Sequence, residues 1–207
     1  MLSQTQITAF KHYLPRYGEL DPSEAAQRTG LVFNADTGQF TLELLGHTVY
    51  AAWPELELIP SDPDRCPKVL YGFQMQVLTM RYLLEAVHAP ASGAFKAYRE
   101  LPWGELYDAN FTGRCIKRFA YGFGYKPEVF AKAADVLGGV RLDMKDIAYD
   151  LPFLGGITCK LILWLPDEEF PPSAQFLFSD NTQFAFNAED LAVVGDVIIS
   201  ALKESAR

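Results

Sequence analysis

Apolar residues recur along this chain with two periods, and the changes of period mark its elements. Ile7, Phe10, Leu14 and Tyr17 stand three or four apart, which predicts a first helix interrupted near Pro15. A second, compact helix follows in "DPSEAAQRTG". Asp21 suits its N-cap, Pro22 its first helical position, Glu24 a capping box and Gly30 its end. The period then falls to two, with Phe40, Leu42 and Leu44 alternating against Thr41, Glu43 and Leu45. Turn signals at Asp36-Thr37-Gly38 and Gly46-His47 divide residues 31–53 into a three-stranded meander.

From Lys68 to His88 the helical period returns. Leu70, Phe73, Val77, Met80, Leu84 and Val87 follow at spacings of 3, 4, 3, 4 and 3, and form one face to bury against a sheet. Tyr71, Leu78, Tyr82 and Leu83 make other faces apolar, so this helix is expected to be central. "FKAYRELPWGELYDANF" reads as a short strand, a turn at Pro102–Gly104 and a helix start. Pro127 and Gly138-Gly139 bracket a further helix. "IAYDLPFLGGITCKLILW" reads as two strands around Gly155-Gly156, and extended runs at 174–178 and 183–186 flank a turn at "SDNT". Asn187 caps a closing helix with Leu191, Val194, Ile198 and Ala201 in a stripe. Strands cluster in two places instead of alternating with helices. The expected fold is α+β, mostly antiparallel, a single domain over 1–207 with a helical region at 1–30.

Composition narrows the function classes. At 207 residues and 49% hydrophobic the chain can build one substantial core, and its net charge of −8 argues against a nucleic-acid partner. The densest basic cluster, Arg114, Lys117 and Arg118, reads as a solvated helix face. No run of 18 apolar residues predicts a membrane span, and the first residues lack an apolar signal core. Cys66, Cys115 and Cys159 are scattered, with no CxxC, which points to a reducing cytoplasmic setting without a zinc or iron–sulfur site or a disulfide. His12, His47 and His88 are isolated and read as surface or edge residues. Cys115 lies beside cations that can lower a thiol pKa, although its place on a helix favours packing. The glycine-rich loops and nucleophile elbows of nucleotide-binding and hydrolytic proteins do not occur.

Two stretches carry the candidate chemistry. Arg99-Glu100 precedes Pro102-Trp103; as neighbours at a strand end, one of the two charges should face inward and need a partner. The neighbourhood of Glu100, Asp150 or the acids of 167–169 hold the expected partner of Arg99. "LILWLPDEEFPPSAQFLF" sets Asp167-Glu168-Glu169 and three prolines between two strand-like runs. The prolines remove three backbone donors, so the segment belongs at a sheet edge or end. It is expected to be a rigid crossover with Phe170 folded onto the core and Asp167 and Glu169 held for a polar contact. Apolar walls for a pocket could come from Trp103, Trp164, Tyr107 and Tyr149. Asp150, Asp180 and Asn181 read as turn residues bonding nearby backbone.

The run from Leu161 to Asn181 with "AEDLAVVGD", together with "RTGLVFNADTGQFTLELLG", "QVLTMRYLLEA" and "YRELPWGELYDANF", resembles the family filed as domain of unknown function 3786. The likeness runs from about Arg28 onward. The family is one of bacteria and archaea, many of them anaerobes, and some relatives carry an added iron–sulfur domain resembling those of corrinoid enzymes; this chain has no such cysteine array. Arg81 stands where the pattern suggests His, and Ser179 where Asp is commoner.

Two readings follow from different classes. The first is an accessory protein of anaerobic metabolism that binds a small molecule or cofactor through Arg99, Glu100, Trp103, Trp164, Asp167 and Glu169, with no metal. The second is an interaction domain for a redox or methyl-transfer enzyme, with the acidic proline-braced loop as its contact surface. An enzyme using carboxylate acid–base chemistry is a further alternative. The identity of the cofactor and the oligomeric state are not legible in the sequence.

Overall fold

The computed structural model describes residues 4–206 and shows an α+β fold with two antiparallel sheets instead of one. Helix α1 spans Gln4–Glu19 and runs through Pro15 without a break, against the expected interruption. Helix α2, Pro22–Thr29, is capped by Asp21, whose carboxylate accepts from the backbone N–H of Ser23 and Glu24. Strands β1 (Val32–Asn34), β2 (Gln39–Leu44) and β3 (His47–Ala52) form the expected meander, and β4 (Leu58–Pro60) extends it to four strands. Phe40, Leu42 and Leu44 of β2 are buried, while Glu43 faces solvent, as the alternation requires.

The helix expected over 68–88 is shorter. A 3₁₀ turn at Lys68–Tyr71 precedes α3, Phe73–Glu85. Its buried positions are Met75, Leu78, Thr79, Met80, Tyr82 and Leu83. Phe73, Val77 and Leu84 are only half-buried and Val87 is exposed, which corrects the expected core face. The cause is α1, which lies along that face and sets Phe10 against Phe73 at 5.2 Å between rings.

The second sheet has the order β5-β9-β8-β7-β6. Its strands are β5 (Phe95–Ala97), β6 (Val140–Leu142), β7 (Ile147–Pro152), β8 (Thr158–Trp164) and β9 (Ser173–Ser179). Between β5 and β6 the chain forms α4 (Gly104–Phe111), a π-helical stretch over Thr112–Lys117, α5 (Arg118–Phe123) and α6 (Pro127–Val136). Phe111, Phe119, Phe123 and Phe130 of this run meet Phe176, Phe178 and Tyr149 of the sheet in a network of tilted and edge-on rings. Residues 180–184 form a 3₁₀ turn, so no strand lies at 183–186. Asp180 bonds Ser92, and Asn181 donates to the carbonyls of Ala89 and Gly156.

The closing helix α7, Ala188–Ser205, is the most enclosed of the helices. Asn187 and Asp190 form its capping box, and its buried residues run from Ala188 to Leu202 on more than one face. Asp196 is buried against α5 and its π-helical lead, where Arg114 and Arg118 both bind its carboxylate, Arg118 at 2.7 Å. The basic cluster is therefore in part an internal clamp. Among the described residues no helix is long and apolar enough to cross a membrane.

Candidate functional site

A cleft of about 900 Å³ opens between the β2–β3 turn, the segment after β4 and the C-terminal ends of α6 and α7. A close backbone contact lies beside it. The β2–β3 hairpin turns through Leu45 and Gly46, both at positive φ (46° and 73°), as a two-residue hairpin requires. A Cβ on Gly46 would stand 3.0 Å from the backbone of Leu137 and Gly138, so only glycine lets this turn touch the end of α6.

His47 follows that turn at the start of β3. The segment after β4 forms the opposite wall and is tied to itself. The Asp62 carboxylate accepts from the N–H of Asp64 and Arg65, and its carbonyl accepts from Cys66 N–H at 3.0 Å. The C-terminal ends of α6 and α7 complete the rim with Asp135 and Glu204. Glu204 accepts from Val69 N–H at 3.3 Å, which fastens the last turn of α7 to the 3₁₀ turn before α3.

The electrostatics disfavour thiol chemistry. Burial lowers the His47 pKa, Arg65 lowers it further and Asp62 opposes them, so the imidazole is neutral at neutral pH. Burial pushes the Cys66 thiol up to about 11, with Asp62 and Glu204 adding to the shift, so it stays protonated. His47 Nε2 and Ser205 Oγ are buried and have no hydrogen-bond partner, and both residues line the cleft. A neutral imidazole offers one donor and one acceptor and a hydroxyl offers both, so the wall suits a polar group of either kind. Among the described residues no cluster of three or more His, Cys, Asp or Glu is placed to hold a metal ion.

The residues singled out in the sequence lie elsewhere. Arg99 and Glu100 are both exposed, in a 3₁₀ turn and not at a strand end, so neither faces inward. Glu100 accepts from Ala97 N–H at 2.7 Å, and among the described residues no carboxylate lies within ion-pair distance of Arg99. Trp103 is 73% exposed at the start of α4, beside the exposed Leu106 and Tyr107. Tyr149 is buried in the core against Phe130 and does not line the cleft. Asp150 is a residue of β7 and not of a turn, and its Oδ1 is buried without a partner.

The loop 165–172 joins β8 to its hydrogen-bonded neighbour β9, pairing Trp164 with Ser173. It is a hairpin connection and not a crossover. Asp167 closes it by accepting from Glu169 and Phe170 N–H at 2.8 and 2.7 Å, and its own N–H donates to the Phe170 carbonyl. These backbone bonds hold the Asp167 carboxyl below the usual range. Phe170 is 66% exposed, so it does not anchor the loop. Pro172 does, packed where a Cβ on Gly124 would be 2.2 Å from its ring. Trp164 is half-buried, and Glu168 and Glu169 are exposed. Register places the Arg99–Trp103 turn and this loop toward the same end of the second sheet, without a bond between them among the described residues.

Cys115 is buried, and burial pushes its thiol up to about 12 despite Arg114 and Arg118, with Asp196 adding to the rise. It is a packing residue, held against the α7 backbone at Gly195. All three cysteines are buried and free. His47 and Ser205 were not recognisable from the sequence: one follows a hairpin glycine, the other ends a helix, and they converge only in the fold.

A family model matches residues 21–201, and the chain belongs to that family, described as domain of unknown function 3786. No curated protein and no solved structure matches it.

Proposed function

We propose that the chain, as a member of the DUF3786 family, is a small-molecule-binding protein whose ligand enters the cleft beside Gly46 and His47. The observation that carries this reading is that two residues lining the cleft, His47 and Ser205, each hold a buried polar atom, Nε2 and Oγ, that bonds to nothing in the protein. Buried polar groups are nearly always satisfied, and a bound molecule is one way to satisfy them. The ligand is then polar, with a donor or acceptor at each of these positions. The resemblance drawn from the sequence motifs supports anaerobic metabolism as the setting, and three free thiols suit a reducing cytoplasm.

Native mass spectrometry of the freshly purified chain tests the reading. A retained small molecule is expected, lost in both His47→Leu and Ser205→Ala while the circular dichroism spectrum stays unchanged. If both variants keep the bound mass at full stoichiometry, the cleft is not the site.

A second reading is supported by the exposed Trp103, Leu106 and Tyr107 on one face of α4. Aromatic side chains held in water are typical anchors of protein–protein contacts. On this reading Arg99, Glu100, Trp103, Trp164, Asp167 and Glu169 belong to a surface for a protein partner. Loss of a partner on Trp103→Asn, with ligand retention unchanged, would distinguish this surface from the cleft.

A further inference from the structure

Helix α1 lies outside the matched region of the family, which begins at residue 21. Its attachment is uneven along its length. After Pro15, Tyr17 is fully buried, donates its hydroxyl to the Ala52 carbonyl at 2.8 Å, and its own carbonyl accepts from Trp53 Nε1 at 3.2 Å. Before Pro15, Phe10, Tyr13 and Leu14 are only half-buried against the body of the protein. Arg16 adds an exposed ion pair to Glu85 at 3.4 Å, and its guanidinium carbon lies 5.5 Å from the Tyr13 ring. Pro15 has no N–H to give to the carbonyl of Lys11, so the helix is weakest between its anchored end and the rest.

Under the weakly held part lies a charged group with unused capacity. The Tyr13 ring sits 5.3 Å from the Arg81 guanidinium carbon. Arg81 Nη1 is ion-paired with Asp190 Oδ1 at 2.7 Å, while its Nε is buried and meets no acceptor. A guanidinium is a fork of donors matched to the oxygens of carboxylates and phosphates. Asp190 occupies one prong only. Burial pushes the Asp190 carboxyl up to about 6, against the pull of Arg81. Glu85, Arg16 and Glu189 are the other charges acting on this pair and on Tyr13.

We propose that the part of α1 before Pro15 is a lid that swings on that residue to admit an oxyanion to the Arg81 guanidinium. With the lid closed, Tyr13 covers the cation. With it open, a carboxylate or phosphate oxygen accepts from Nε while Asp190 keeps Nη1. This site is independent of the cleft at His47, and it stands or falls without it.

Phenylglyoxal, which modifies accessible guanidinium groups, tests the proposal on the full chain, read residue by residue by mass spectrometry. In the wild type Arg81 should react at least about tenfold more slowly than the exposed Arg99, as expected for a group reached only through a minor open state. The double variant Phe10→Ala/Tyr13→Ala should speed Arg81 by about tenfold and leave Arg99 unchanged. Pro15→Ala, which restores the helical hydrogen bond and removes no contact, should slow Arg81. Inorganic phosphate or acetate should protect Arg81 in the double variant. Protection by phosphate alone assigns the site to phosphate, and by acetate alone to carboxylates. An Arg81 rate that neither variant moves overturns the lid, and an Arg81 that neither anion protects overturns the oxyanion site.

Discussion

Arg81 of α3 and Asp190 in the first turn of α7 meet at 2.7 Å, with side chains only 13% and 6% exposed. The pair ties the helix that follows the first sheet to the helix that closes the chain. Asp190 serves twice, since it also accepts from Asn187 N–H in the capping box.

Breaking this pair from one side should be costly. Arg81→Met leaves a buried carboxylate without its cation, and a loss of about 3–5 kcal/mol is expected. Arg81→Met with Asp190→Asn should recover most of it, because no buried charge then remains. Urea denaturation of the two single variants and the double variant checks this. Additive losses would show that the two residues do not act as a pair.

The same carboxyl should leave a signature in pH. Its folded pKa is pushed up to about 6 by burial, against the pull of Arg81. In the unfolded chain it titrates near ~3.9. Between these values the folded chain holds a proton that the unfolded chain has released. This contribution to stability is therefore largest on the acid side and is lost as pH rises from about 4 to about 6. The stability of the wild type relative to Asp190→Asn should fall across that window and level off above it. A rise would mean that Arg81 outweighs desolvation.

The acidic loop should depend on its prolines and not on its aromatic ring. Phe170→Ala should change stability by less than about 0.5 kcal/mol, as for other exposed positions. Gly124→Ala should cost about 1–3 kcal/mol, because the new methyl meets both Pro172 and the Ala120 carbonyl. Thermal unfolding of the two variants should rank them in that order.

Trp103 is held at φ 66°, a left-handed conformation that costs an L-residue about 1–2 kcal/mol, yet its side chain stays in water. Trp103→Gly should therefore leave stability unchanged or raise it, although it removes the largest side chain of the turn. Gly104→Ala should do the opposite, since its Cβ would fall 1.9 Å from the Tyr98 carbonyl oxygen. Chemical denaturation distinguishes a residue kept for contact from one kept for folding. A large loss on Trp103→Gly would place this indole among the structural residues.

Local rules were sufficient for much of this fold. The caps at Asp21 and Asn187, the proline that opens α6, the alternation in β2 and the stripe on α7 each depend on neighbours within a few residues. Sequence therefore determined where most helices and strands lie and that the sheets are antiparallel. It also carried the family, through motifs spread along most of the matched region. Tertiary structure decided which faces are buried. Periodicity marks Phe73 and Val77 as apolar, but only the packing of α1 shows that they meet a partial cover while Leu78 and Leu83 face the core. An apolar ring in an acidic turn can fold inward or stay in solvent at nearly equal local cost. Phe170 stays out, and it is Pro172 that packs against Gly124. The cleft is the extreme case: His47 and Ser205 are 158 positions apart, and both line it only because the start of β3 and the end of α7 converge in the fold. No local pattern encodes the meeting of two segments so far apart, since it exists only once the first sheet and the closing helix are packed.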